Sequence, residues 1–317
     1  MRRRSALELG LWFLTIAGAG CGGEKRGGRG TRDSPWIIGM SQCNLGEPWR
    51  EQMNRDIEAA AAKHDVLKMV FKDAQNDSLK QRAQVEELVA QGIALLLISP
   101  KETAPLTKPV AEAFDKGIPV IVLDREVEGD KFTAFIGGDN EKIGHAAGEW
   151  IAKALGGKGK VVELKGLMTS TPAQQRHKGF RDAIAGQSGI EIVFEADMQW
   201  LEPNARKEME SALAQQSKID LVYAHNDPAA HGAYLAAKQA QRNEGMKFVG
   251  IDALPHEGVA YVKDGVLDAT VLYPTGGAEA IELALRILKG EKVDKKVTLG
   301  TRIFTKESVE RGGDPIP

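Results

Sequence analysis

Three apolar runs in this sequence end on groups able to hold a polar molecule. Asp220-Leu221-Val222-Tyr223-Ala224-His225-Asn226-Asp227 runs from a hydrophobic centre into an amide beside a carboxylate. The run over 246–252 ends on Asp252, and that over 118–125 ends on Asp124 and Arg125. A carboxylate accepts hydrogen bonds, an Arg only donates, and an Asn does both. Hydroxyls that donate and accept match such a set, so the chemistry is recognition of a small polyhydroxylated molecule. Open α/β sheets hold ligands at the carboxyl ends of their strands. The three tips are therefore expected to converge on one ligand. Pro228 opens a helix directly after Asp227, so one residue of the Asn226-Asp227 pair must cap it. We assign Asp227 to the cap and Asn226 to the ligand.

Motifs for other chemistries are missing. The turn after the first strand, Gln42-Cys43-Asn44-Leu45-Gly46-Glu47, is not a dinucleotide fingerprint. Gly156-Gly157-Lys158-Gly159-Lys160 follows a helix and precedes a strand, the reverse of a phosphate loop, and reads as a turn. The six His residues make no metal-ligand spacing. Ser170 and Thr171 lack a nucleophile-elbow context. Cys43 has no activating motif around it and reads as a small packed side chain. Neither a cofactor, a metal nor catalysis is expected.

The elements that must position the tips alternate strand and helix. Strands are expected over 36–41, 66–71, 93–98 and 118–123, with a weaker one over 132–137. Between them lie helices over 48–64, from the Asn76-Asp77 cap to 91, and 105–116, the last two closed by Gly92 and Gly117. Leu79, Val85, Leu88 and Val89 form the apolar stripe of the second helix. The rhythm restarts after Asp139-Asn140. Helices are expected over 141–155, 172–185, 204–216, 228–241, 255–263 and 277–289. Strands are expected over 160–164, 190–194, 219–224, 248–251 and 267–273, and a short tail closes the chain. Continuous apolar strands alternating with helices predict parallel sheets covered on both faces. About ten strands exceed one comfortable core, so the fold class is α/β with two similar lobes.

Residues 1–34 differ from the rest. Met1-Arg2-Arg3-Arg4 is basic, 7–19 is mostly apolar, and Gly18-Ala19-Gly20-Cys21 follows. This order resembles a bacterial lipoprotein signal with Cys21 as the lipidated residue. A secretory signal cut elsewhere, or a short anchor, remains the alternative. Residues 22–34 read as a Gly-rich tether. The first 34 residues hold seven Lys/Arg and three Asp/Glu, so the remaining body carries 35 basic and 41 acidic side chains, a net of −6. An acidic body argues against a nucleic-acid partner.

Ile121-Val122-Leu123-Asp124-Arg125, Val222-Tyr223-Ala224-His225-Asn226-Asp227 and Val249-Gly250-Ile251-Asp252 together resemble type I periplasmic binding proteins of the ribose/galactose class. So do Gln91-Gly92-Ile93, Ile98-Ser99-Pro100 and Gly179-Phe180-Arg181. Ser41-Gln42 with Trp49-Arg50, and Tyr223 to Asp227, are most similar to the galactofuranose-binding members. The resemblance implies a monomeric, exported solute receptor serving an ABC permease and its ATPase. It implies two Rossmann-like lobes joined by three crossings: 36–139 with about 275–300, and 140–274 with about 301–317. A monosaccharide would sit between them. The resemblance implies that Asp124 and Arg125 grip sugar hydroxyls, with Arg176, Asn226 and Asp252 from the second lobe. It places Trp49 and Arg50 at the first lobe's aromatic wall and Tyr273 near the hinge. Glu47 stands where relatives carry a smaller residue. Trp200 is assigned to packing rather than to the cleft. A sensor handing a sugar to a membrane kinase would have the same lobes.

Overall fold

The computed structural model describes residues 30–316. Cys21 and most of the signal-like segment lie outside the described residues. One six-stranded sheet holds β1 (Trp36–Gln42), β2 (Leu67–Asp73), β3 (Leu95–Ser99), β4 (Val120–Leu123), β5 (Ala134–Gly138) and β11 (Lys296–Leu299). Its order is β11-β5-β4-β3-β1-β2, with every pairing parallel. A seven-stranded sheet holds β6 (Lys158–Lys165), β7 (Gly189–Asp197), β8 (Leu221–Ala224), β9 (Lys247–Asp252), β10 (Ala269–Leu272), β12 (Arg302–Thr305) and β13 (Asp314–Pro315). Its order is β13-β12-β10-β9-β8-β6-β7. The fold is the two-lobed α/β architecture expected from the strand–helix rhythm.

The chain passes between the sheets three times. It crosses at Asp139, just before α4 (Asn140–Ala154), at 273–276, just before α9 (Gly277–Leu288), and at Gly300-Thr301. The closing tail is thus not a simple tail, since β11 completes the first sheet and β12 and β13 the second. These strands are two to four residues long with mixed burial, so no continuous apolar run announces them. β12 and β13 are also antiparallel, unlike the parallel core of that sheet.

Local chemistry sets the remaining helices. α1 spans Pro48–Ala61 with Pro48 at its start, where the missing N–H costs nothing. Asp77 caps α2 (Ser78–Ala90) by accepting from the Leu79 and Lys80 amides. Leu79 does not join the apolar stripe; it is 78% exposed, and buried Gln81 faces the sheet instead. Gln81 earns that place by donating to the Ser41 and Ser99 carbonyls at the strand tips. α3 (Thr103–Asp115), α5 (Thr171–Ile184), α6 (Glu202–Gln215) and α7 (Asp227–Gln239) complete the long helices. α8 is shorter than expected, Gly258–Lys263, because 255–257 forms a turn first. The residues 156–157 are a left-handed turn after α4, and β6 starts at Lys158. α4 and α5 pack backbone to backbone: a Cβ on Gly179 would lie 1.9 Å from the Glu141 carbonyl oxygen. That approach seats the first turns of α5 deep beside the cleft. No helix among the described residues is long and apolar enough to cross a membrane.

Candidate functional site

In each sheet the strand order reverses once, between β1 and β3 in the first and between β6 and β8 in the second. Such switch points leave a crevice at the carboxyl ends. The two crevices face each other across a small cavity. Trp49, Arg50, Asp124, Arg125, Arg176, Asn226, Asp252 and Tyr273 all line it, so the structure brings together every ligand-binding candidate named from the sequence. Glu47, Pro172 and Trp200 line it too. The polar groups are buried, with Arg125 at 1% and Arg176 at 2% exposure, so the lobes are closed over them.

The first-lobe half is organised by Arg50. Its Nη1 donates to Gln42 Oε1 (3.2 Å) at the tip of β1 and to Ser99 Oγ (2.8 Å) at the tip of β3. Its Nη2 donates to Asp124 Oδ2 (2.8 Å) after β4. One guanidinium therefore fixes three strand tips, which a flat fork of five donors suits. Asp124 holds a left-handed backbone (φ 64°), aiming its carboxylate into the cleft. It also accepts from Tyr273 Oη (2.9 Å) and lies 3.5 Å from Arg125 Nε. Burial pushes the Asp124 carboxyl up, but Arg50 and Arg125, with the hydrogen bonds from Arg50 and Tyr273, outweigh it and hold it below its ordinary value. Arg125 Nη1 donates to the Lys101 carbonyl (2.7 Å), while its Nε, like that of Arg50, is buried without a hydrogen-bond partner in the protein.

Tyr273 ties the halves together. It lies just beyond β10, at the start of the second crossing. Its hydroxyl also accepts from Asn140 Nδ2 (3.3 Å), the first residue of α4. Its carbonyl accepts from Trp49 Nε1 (2.7 Å), and the two rings stack at 5.0 Å. Trp49 is thus held by a hydrogen bond and a stacking partner at once.

In the second lobe Arg176 projects from α5. Its Nε donates to Asn140 Oδ1 (2.8 Å) and its Nη1 to the His225 carbonyl. The guanidinium lies 4.4 Å from the Tyr273 ring centre, 5.3 Å from that of Trp200 and 3.9 Å from Asp252 Oδ1. Burial pushes the Asp252 carboxyl well above its ordinary range; Arg176 pulls it back, and Asp227, Glu257 and Glu47 add to the rise. Asp252 itself has φ 128°, a strained backbone for a residue with a side chain.

Two assignments change. Asn226, not Asp227, is the helix cap: its Oδ1 accepts from the Ala229 amide at 3.2 Å. Its Nδ2 donates to the Trp200 carbonyl (3.0 Å), so the amide caps α7, anchors a loop and still lines the cleft. Asp227 is turned inward, because the tip of β9 supplies a backbone donor that a cap would leave unmet. Trp200 packs in the second lobe and also faces the cavity, 5% exposed, with Nε1 unpartnered in the protein. The signal was in the sequence: Trp200 follows a strand and precedes Glu202-Pro203, the same strand-tip grammar as Asn226-Asp227-Pro228.

Beneath Arg176 lies a network that sequence spacing did not reveal. His225 Nδ1 accepts from the Gly166 amide (3.2 Å), which assigns the ring proton to Nε2, donated to Glu163 Oε1 (3.2 Å). His177 and Arg181 also hold Glu163. Burial raises the Glu163 carboxyl, but the His177 and His225 hydrogen bonds outweigh it and bring it to about 2. A carboxyl depressed from 4.5 to about 2 stabilises the fold fully above about pH 4.5 and loses that contribution as pH falls towards 2. Glu163→Gln is expected to cost about 3 kcal/mol at pH 7 and to flatten stability between those pH values. Urea unfolding across pH checks this; an unchanged acid profile would refute it. Cys43 is fully buried, and burial pushes its thiol up, as for a packed side chain. Among the described residues no group of three or more His, Cys, Asp or Glu could hold a metal ion.

The periplasmic binding protein domain family matches residues 38–292. The chain belongs to that family. This binding protein is 33% identical to the ribose import binding protein RbsB of Bacillus subtilis over 86% of its length and 88% of the relative's. It is 30% identical to the galactofuranose-binding protein YtfQ of Escherichia coli, over 84% and 86%. Among solved structures, the fructose binding periplasmic domain of hybrid two component system BT1754 superposes with a TM-score of 0.85. That domain is 44% identical, with 87% of this chain and 92% of that one covered.

Proposed function

We propose that this binding protein is a non-catalytic receptor that closes on one monosaccharide. The observation that carries the reading is the cavity itself. Three strand tips from two lobes bring Asp124, Asn226 and Asp252 together, with three guanidiniums to donate and three aromatic residues to cover apolar C–H faces. Trp200 Nε1 has no partner in the protein, and the Nε donors of Arg50 and Arg125 have only long carboxylate contacts, to Glu47 at 3.4 Å and Asp124 at 3.5 Å, so these are the donors a bound hydroxyl would satisfy. The relatives named above for ribose, galactofuranose and fructose support a sugar.

The lobes, 36–139 with about 275–300 and 140–274 with about 301–317, would act as two jaws on a three-stranded hinge. Ligand contacts made by both would shift the population to the closed form. An ABC permease and its ATPase would receive that closed form from a monomer, exported and tethered through a lipid on Cys21. A thermal-shift screen against pentoses, hexoses and furanose-forming ketoses tests the reading. A ligand at a hundredfold excess over Kd adds about 2.7 kcal/mol, a rise of several degrees. No shift with any sugar would sink it.

The 44% identity to a domain of a two-component system favours a second reading, a sensor working with a membrane kinase. Deletion separates the two. Loss of labelled-sugar uptake supports the importer; intact uptake with loss of sugar-induced transcription supports the sensor.

A further inference from the structure

Asp227 is fully buried behind the cavity wall and does not line it. Its Oδ2 accepts from the Ala253 amide (2.7 Å) and its Oδ1 from Thr270 Oγ1 (2.6 Å). One carboxylate from the tip of β8 therefore ties the end of β9 to β10. The backbone it holds is unusual: Asp252 has φ 128° and Ala253 φ 52°, both in the region that favours glycine. Such a turn persists only where its surroundings over-determine it. The neighbours are shaped to admit the carboxylate. A Cβ on Gly258 would lie 1.8 Å from Asp227 Oδ2, and one on Gly250 2.1 Å from Oδ1. The Asp252 carboxylate has its nearest ionic partner, Arg176, at 3.9 Å, beyond direct hydrogen bonding. Its aim is thus set by its backbone rather than by a side-chain clasp.

We propose that Asp227 is the positioning residue for Asp252: it latches the strained turn over Asp252 and Ala253 to β10, and so sets how the Asp252 carboxylate meets the ligand. The latch makes geometric demands that distinguish two substitutions. Asp227→Asn keeps one oxygen for the Ala253 amide and turns its NH2 to Thr270 Oγ1, which can accept. Asp227→Ala loses both bonds.

The binding arm of the test rests on the monosaccharide reading; the exchange arm does not. Calorimetry with D-fructose and D-ribose is run on D227A, D227N, D252A and D227A/D252A. D227A is expected to weaken the bound sugar at least ~10-fold, with D227N recovering most of that loss. In the D252A background, D227A is expected to change affinity less than ~3-fold, because the group it positions is gone. An equal loss in both backgrounds overturns the proposal. Hydrogen exchange at the Ala253 amide is followed in parallel without sugar. Faster exchange in D227A than in D227N supports the latch; equal exchange overturns it, whether or not D252A or the wild-type protein binds either sugar. If D227A does not fold, T270V, which removes one of the two latch bonds, replaces it in both arms. Failure of both sugars to bind the wild-type protein, with the exchange difference present, rejects those ligands and leaves the latch standing.

Discussion

Asp124→Ala is expected to lower monosaccharide affinity about a hundredfold or more. The carboxylate is buried and shared: it accepts from Arg50 at 2.8 Å and Tyr273 at 2.9 Å, with Arg125 at 3.5 Å. Removing it deletes an acceptor for the sugar and also strands two guanidiniums with one fewer counter-charge. Truncating one partner of a buried, hydrogen-bonded charge pair costs about 2–5 kcal/mol, largely from the charge left behind. Asp124→Asn keeps the shape and one acceptor, so it should fall between wild type and alanine. The pH sign follows from the direction of the shift. A carboxyl held below its ordinary 3.8 contributes stability above that pH and loses it as pH falls through the lower folded value. Affinity carried by Asp124 should therefore hold at pH 5 as at pH 7. Titration calorimetry at both pH values checks this, and near-wild-type affinity in Asp124→Ala would remove the residue from the site.

Much of this architecture could be read before the structure because parallel strands buried on both faces are continuous apolar runs. Val120 to Leu123 and Leu221 to Ala224 are fully buried, and each runs straight into its polar tip. The tips therefore marked the cleft. What stayed hidden depended on which way a side chain turns. Asn226 and Asp227 are equally good caps on paper; only the Ala253 amide and the Thr270 hydroxyl draw Asp227 inward. Trp200 reads as packing because an aromatic ring fits a core or a cavity wall equally well, and here one ring serves both. β11 to β13 escaped because short edge strands have no periodicity long enough to declare them.

The same dependence on buried partners makes Arg176 the residue whose loss should be felt most widely. Arg176→Ala is expected to destabilise the protein by about 3–5 kcal/mol near neutral pH and to abolish tight sugar binding. Its guanidinium bonds Asn140 at the hinge and the His225 carbonyl, lies against two aromatic rings, and is the cation nearest to Asp252. Without it, Asp252 and Asp227 lose the cation that opposes their burial. Asp227, pushed to about 6 chiefly by burial, and Asp252, already raised well above its ordinary range, would both rise further. A raised folded value means that the proton-bound form fits the fold better. Its contribution is fully present at low pH and is lost as pH rises through the folded value. The penalty of Arg176→Ala should therefore be largest at pH 7.5 and smaller at pH 5, where a proton replaces the missing cation. Arg176→Lys should rescue little, since an ammonium cannot span Asn140 and the His225 carbonyl while also lying over the Trp200 and Tyr273 rings. Urea unfolding at the two pH values decides the point. A destabilisation independent of pH would show that Arg176 acts through packing alone, and not as the counter-charge that lets the second lobe keep its carboxylates beside the cleft.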